Sequence, residues 1–235
     1  MTDSSERLSG SETPALLIAA ALRIEAIALR CGVANTTVVT TGMGPVRARK
    51  AVDALRRHPA RALAVAGVSG SLDDDLRPGD IAVASSLSRW SKSGPSNTTP
   101  LASASKLVDI LEELGFRSVA APLLSLDHIV RRAERKHLRE SGARIVDMES
   151  AWLADASQSR PLAVLRVIVD APAAEFASLA FLRNGVRALR TLRATAPALE
   201  RWAAQAVPQD RDPKEGSASP PTPSAQDSQP PSSSR

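Results

Sequence analysis

The chain is poor in the residues that mark several common classes of protein. It has one cysteine, Cys31, three histidines, no tyrosine, and three each of Phe and Trp among 235 residues. A lone cysteine closes no intramolecular disulfide and cannot supply a four-thiolate zinc cage, so nothing implies an oxidising compartment, and a cytoplasmic location is expected. Readers of RNA and single strands stack bases on clustered aromatic side chains, and a 3% aromatic content leaves little to stack with. Despite the net charge of +5, no nucleic-acid partner is expected. Long apolar runs are missing too. Residues Ala15 to Leu29 come nearest, but Arg23 and Glu25 interrupt them, short of the roughly 18 residues that a spanning helix needs. The opening MTDSSERLSGSETP is polar and acidic where a secretory signal would be basic and then apolar, and no export is expected.

From residue 207 the composition shifts to PQDRDPKEGSASPPTPSAQDSQPPSSSR, a Pro/Ser-rich segment with almost nothing to bury, which predicts a disordered tail over 207–235. Residues 1–13 read as a short disordered leader, which leaves one folded domain over 14–206. Inside it, continuous apolar runs bounded by Gly and Pro (ALLIAAAL, TTVVTTG, RALAVAGVSG, GDIAVASSL, VAAPLLSL, ARIVDMES, PLAVLRVIVDAP) alternate with helical patterns. The helices fall near residues 45–58, 103–115, 131–141 and 181–203, and SKSGPSNTTP reads as a polar loop. Strands buried on both faces and separated by amphipathic helices predict a single α/β domain around a mixed, mostly parallel sheet. In the closing helix, Phe181, Leu182, Val186, Leu189, Leu192, Ala196 and Leu199 share one side.

Ligands of open α/β sheets bind beyond the carboxyl ends of the strands, and three carboxylates fall there: Glu25, Glu149 and Asp170. Each could accept hydrogen bonds from sugar hydroxyls or move a proton, and each could equally cap a helix or open a loop. The turns TTGMGPVRA and AGVSGSLDD place Gly42, Gly44, Gly67 and Gly70 where a backbone could approach a ligand closely, though neither matches a generic nucleotide loop. His58, His128 and His137 lack metal-ligand spacing and read as surface or packing residues. Ser69 in GVSGS does not complete a nucleophile elbow, and no metal site is expected. The cations of RRAERKHLRE, and Arg183, Arg187, Arg190 and Arg193, read as solvated helix faces, with contact to a membrane surface as the sharper alternative.

Taken in order and at domain-wide spacing, TGMGPVRA, AGVSGSLDDDLRPGDIAVA, VDMES and LRVIVDAP resemble the nucleoside phosphorylase and nucleosidase superfamily. That group includes purine nucleoside phosphorylases, methylthioadenosine/S-adenosylhomocysteine nucleosidases, futalosine hydrolases and a hopanoid-associated branch. The resemblance implies a three-layer αβα enzyme that cleaves the N-ribosidic bond of a nucleoside, acting as a homo-oligomer without a resident cofactor. By position it gives Asp170 the protonation of the leaving base and Glu25 the activation of water. Glu149 would hold the ribose hydroxyls, Met148 would pack on the sugar, and Ser150, Gly67, Val68, Ile129 and Val130 would complete the substrate site. Gly44, Arg23 and Arg47 would form the anion side, with inorganic phosphate as co-substrate if the reaction is phosphorolytic. Val68 stands where many members carry a serine, and Val169 where they carry Ser or Cys. With the Arg-rich end, these departures resemble the hopanoid-associated branch most, so adenosylhopane is the expected substrate, with release of adenine. Small adenine thioether nucleosides or futalosine are the runners-up, and a non-catalytic nucleoside-binding or membrane-docking protein is the alternative from another class. The side-chain inventory favours water over phosphate as the nucleophile.

Overall fold

The computed structural model describes residues 15–91, 93–170 and 179–207, apart from the side chains of Arg132, Asp170 and residues 179–182. The leader and residues 208–235 lie outside that description.

The first apolar run forms β1 (Leu16–Ala20) and passes directly into α1 (Arg23–Arg30), followed by β2 (Thr37–Thr40) and α2 (Pro45–Arg57). β3 (Ala62–Ser71) leads to the hairpin of β4 (Ile81–Ser91) and β5 (Gly94–Pro100). Next come α3 (Ser103–Glu113), β6 (Ser118–Ser125), α4 (Arg132–Arg139), β7 (Ile145–Asp147) and the short α5 (Ser150–Leu153) with its 3-10 turn (Ala154–Ala156). β8 (Leu162–Asp170) and the long α6 (Leu179–Ala206) complete the described chain.

The eight strands form one mixed sheet in which parallel pairs predominate. β3, β8, β4, β6 and β7 pair in turn, and β7 returns antiparallel to β3 at Gly70 and Ser71, so these five strands close into a ring. β1 and β2 extend the sheet outward from β3.

Alternation along the strands feeds two cores. Leu16, Ile18 and Ala20 of β1 and Ala62, Ala64 and Ala66 of β3 pack with α1, α3 and α6. Leu17, Ala19, Leu63 and Val65 point to the other face, under α2 and α5. This is the expected three-layer arrangement, and the many alanines at strand positions let the helices lie close to the sheet.

Nothing in the pattern of apolar runs marks α1 or β5. The segment read as a polar loop is strand β5, antiparallel to β4. Among the described residues β5 pairs with β4 alone, and an edge strand largely open to solvent needs no apolar signature and tolerates its terminal Pro100. In α6, Ala188, Leu192, Thr195, Ala196, Leu199 and Trp202 are buried, whereas Val186, expected on the inner face, is exposed. Val207, which the change of composition assigns to the tail, packs in the core. No helix among the described residues is long and apolar enough to cross a membrane.

Candidate active site

A cavity of about 300 Å³ opens beyond the ends of β1, β3, β6, β7 and β8. Its wall is built from five segments: Ala21, Leu22 and Glu25 at the start of α1, Val68 to Gly70, His128 to Val130, Val146 to Glu149, and Val169. Met43 and Arg135 complete it.

Glu25 is the third residue of α1 and almost wholly buried, at 1% exposure. One carboxylate oxygen, Oε2, accepts the Leu22 N–H at 2.8 Å, which satisfies a donor at the start of the helix. The other, Oε1, accepts the Val68 N–H at 2.8 Å and so ties α1 to β3. Gly67 is required for this approach, because a Cβ there would stand 2.7 Å from both Glu25 Oε1 and Arg166 Nη1. Those two atoms are therefore at most 5.4 Å apart, twice that distance, and no direct ion pair joins them.

Arg166 lies on β8, 1% exposed, in a charged row beneath the cavity. Its Nη2 donates to Asp147 Oδ2 and, at 2.7 Å, to Ser150 Oγ, while its buried Nε has no hydrogen-bond partner among the described residues. Asp147 also takes the Ser125 hydroxyl at 2.5 Å and the Ser150 N–H at 3.1 Å. Glu149, two residues on, accepts the Gly44 N–H on Oε1 at 2.7 Å. Gly44 adopts φ +89° as α2 begins, a conformation that favours glycine and aims this N–H across the cavity floor.

Burial is the main force on both glutamates, because it disfavours the charged form. It raises the Glu25 carboxyl above its ordinary value, against the opposing charge of Arg166 and the N–H groups of Val68, Leu22 and Ala21. Glu149 is pushed up to about 7 by burial and then by the negative Asp147, with Arg166 and the Gly44 N–H pulling the other way and Glu25 adding to the rise. The cavity floor thus holds two carboxylates whose charged form burial disfavours, beside one fixed cation.

At the rim, His128 is bonded through Nδ1 to Asp127 at 2.7 Å and through Nε2 to Glu134 at 3.2 Å. The Asp127 bond foremost raises its pKa, against burial and with help from Glu134.

Of the residues expected at the site, Glu25, Glu149, Met148, Val68, Ile129 and Val130 line this one cavity. Gly67 and Gly44 support it from behind. Ser150 does not face it: it is fully buried and its hydroxyl is taken up by Arg166. Arg23 and Arg47 are exposed and do not line the wall, because α1 turns Arg23 outward and Arg47 folds over Gly42 and donates to the Met43 carbonyl at 3.3 Å. The backbone of Asp170 ends β8 beside Gly70, but its side chain lies outside the described residues.

The pattern missed Arg166, Asp147, Arg135 and the placing of His128 at the cavity. Arg166 did carry a signal, a lone cation inside the apolar run LAVLRVIV, which a doubly buried strand tolerates only when the charge is paired. Arg135 carried none: it sits in the basic run read as a solvated face, and the fold turns it inward to 6% exposure. Among the described residues, no group of three or more His, Cys, Asp or Glu side chains could hold a metal ion.

The architecture is shared with solved structures of low sequence identity. The futalosine hydrolase of Helicobacter pylori is 20% identical, with a TM-score of 0.69 over 78% of this chain and 96% of that one. The 5'-methylthioadenosine/S-adenosylhomocysteine nucleosidase of the same organism, solved with butyl-thio-DADMe-Immucillin-A, is 21% identical, with a TM-score of 0.68 over 81% and 97%. The corresponding nucleosidase of Campylobacter jejuni is 16% identical, with a TM-score of 0.68 over 81% and 98%. No curated protein matches the chain. The family model of the phosphorylase superfamily matches residues 16–198, which takes in every strand and all but the end of α6. The expectation of an enzyme of the phosphorylase and nucleosidase kind holds: the chain belongs to the phosphorylase superfamily.

Proposed function

We propose that the chain hydrolyses the N-ribosidic bond of a nucleoside, with Glu25 as the base that activates water. The observation that carries this reading is the pairing of Glu25 with Arg166 across Gly67. Glu25 lines the cavity with a buried carboxylate, and the Arg166 guanidinium lies at most 5.4 Å from it without an ion pair, so the carboxylate is left to accept a proton from a water in the cavity.

In the reaction the water oxygen bonds to C1′ as the C1′–N bond breaks, and the bonding pair departs with the base. One water proton passes to Glu25, and the base gains a proton at its ring nitrogen, the task the resemblance gives to Asp170. Burial makes Glu25 a stronger base than a solvated carboxylate. Positive charge develops on the ribose as the C1′–N bond breaks, and the negative Glu149 stabilises it, with Glu25 contributing until it takes the water proton. Glu149 would accept the ribose hydroxyls beside its bond to Gly44.

Phosphate is the poorer nucleophile for this site. The cations expected to hold it, Arg23 and Arg47, lie outside the cavity wall, and the buried carboxylates would repel a dianion. Around the Glu25 and Glu149 carboxylates the wall is largely apolar, and Met43 and Ile129 are exposed side chains of its lining, which supports a substrate with an apolar 5′ substituent, as in the adenosylhopane class.

In phosphate-free buffer, wild-type protein should release free base and a reducing ribosyl product from a panel of nucleosides. Glu25→Gln should lower that rate by about 10³, within the range of general base catalysis. Strict dependence on added phosphate, with a ribosyl 1-phosphate product, would overturn the assignment.

A further inference from the structure

Outside the cavity, α1 and the first half of α6 share one outer surface. Both helices lie on the same face of the sheet and pack against each other. Gly32, two residues past α1, lies against the Arg193 carbonyl, and Glu200, farther along α6, accepts the N–H groups of Ala34 and Asn35. Residues 183–193 therefore run beside α1 in the same direction. On α1, Glu25, Ala26 and Leu29 turn inward and leave Arg23, Ile24, Ile27 and Arg30 outside. On α6, Ala188, Leu192 and Ala196 turn inward and leave Arg183, Val186, Arg187, Arg190 and Arg193 outside. Ile24 and Ile27 are each 56% exposed and Val186 is 45% exposed. The arginines around them face no acid: Glu25, the one acidic residue of α1, is buried, and α6 has none from Arg183 to Leu199. Among the described residues none of these arginines pairs with a carboxylate, while Arg30 donates to the Val38 carbonyl at 2.7 Å and Arg187 folds over Gly79.

We propose that this surface docks the protein on an anionic lipid bilayer. Arginines without acidic partners complement lipid phosphates, and each one that reaches such a surface strengthens partitioning about fivefold. Phosphate attraction alone gives Ile24, Ile27 and Val186 no role. Aliphatic side chains among cations fit the boundary between headgroups and acyl chains, where arginine stems lie along the apolar phase and their guanidinium groups stay with the phosphates. A nucleic acid would satisfy the arginines and leave the isoleucines without apolar contact. A second copy would set the same cations against each other across a two-fold axis. Leu22 lines the cavity and leads directly into Arg23 and Ile24, so the docked surface begins at the cavity wall. An apolar substituent dissolved in the bilayer would enter there, a consequence that rests on the substrate reading above, whereas the docking itself does not.

Sedimentation of the full chain with unilamellar vesicles tests this. At physiological salt the wild-type protein should partition onto mixed phosphatidylglycerol and phosphatidylcholine vesicles at least about tenfold more strongly than onto phosphatidylcholine alone, and high salt should weaken the binding. Arg183→Gln/Arg190→Gln should lower partitioning about tenfold or more, and Ile24→Ser/Ile27→Ser by about tenfold. Val46→Ser, exposed on α2 in the opposite layer, should leave it unchanged. Cys31 is the only cysteine and stands exposed at the end of α1, so an environment-sensitive fluorophore on it should shift to the blue with the anionic vesicles. The wild-type arms need no surface variant, so poor folding of one leaves the test intact. No binding, equal binding to neutral and anionic vesicles, or binding that the isoleucine pair leaves unchanged overturns the inference. So does a dimer that the isoleucine pair dissociates, or retention of an oligonucleotide, in a protein that binds no vesicles. The hydrolase reading fails separately, because it is measured as base release from a soluble nucleoside without vesicles, a rate that the isoleucine pair should leave unchanged.

Discussion

The two ends of the cavity are built differently. At the Glu25 end four charged side chains are tied to their surroundings: Glu25 to backbone N–H groups of α1 and β3, Glu149 to Gly44, and Asp147 and Arg166 to each other and to Ser125 and Ser150. At the other end the wall is largely the segment between β6 and α4, where Ile129 is 52% exposed and the hydrogen bonds of the His128 ring go to its near neighbours Asp127 and Glu134. The lesson is one of preorganisation. The end assigned to bond cleavage is fixed before substrate arrives, as electrostatic stabilisation of a transition state requires, and the other end is walled by a connecting segment outside the sheet.

The sharpest way to break this comparison is to remove the central cation. Arg166→Met leaves Asp147 buried without its partner, and breaking a buried pair from one side costs about 3–5 kcal/mol. Urea unfolding should show that loss. Ile129→Ala, on the half-exposed segment, should cost less than about 1 kcal/mol. The Arg166 charge also opposes the rise of the Glu25 carboxyl, so its removal should move the acidic limb of the pH–rate profile to higher pH, an effect that mere loss of packing would not produce. Equal stability losses at the two sites would erase the distinction drawn here.

A second test uses the titration of Glu149. Its folded pKa of about 7 stands above the ordinary value of 4.5, so the protonated form is favoured in the folded state. The stability it contributes is complete below 4.5 and is lost as pH rises through about 7, and Glu25 acts in the same direction. The melting temperature should therefore fall across that window, and Glu149→Gln should flatten much of the slope. The same change weakens a charge-assisted contact with ribose and should reduce kcat/KM by about 10- to 100-fold. A melting curve that rises over this window in wild-type protein would refute the assigned direction.

The sequence made one end of the site far more legible than the other. Glu25 and Glu149 were readable because carboxylates that follow apolar runs mark strand ends, and strand ends are where α/β sheets place ligands, whereas Met148 came only with the family resemblance. Gly67 was readable as a close approach, although what approaches it, Glu25 and Arg166, only the fold reveals. Arg135 was hidden because a helix of cations looks alike on all faces until its packing is known, and β5 was hidden because an edge strand need not be apolar. The ring closure of β7 on β3 depends on a two-residue pairing that no local pattern encodes.

The smallest expected effect concerns the two arginines outside the wall. Arg23 and Arg47 are both exposed, and the hydrogen bond given for Arg47 is local, to the Met43 carbonyl at 3.3 Å. If water is the nucleophile, neither cation has a partner in the transition state, and surface substitutions of this kind change stability by no more than about 0.5 kcal/mol. The double variant Arg23→Ala/Arg47→Ala should then keep base release within about twofold of wild type, because long-range effects of exposed charges are screened at physiological salt. The measurement is informative when repeated with and without inorganic phosphate. Under phosphorolysis, loss of the cations nearest the anion would raise KM for phosphate steeply while leaving KM for nucleoside in place. A flat response in both buffers would confine the chemistry to the anchored end, where Glu25 and Arg166 face each other across Gly67.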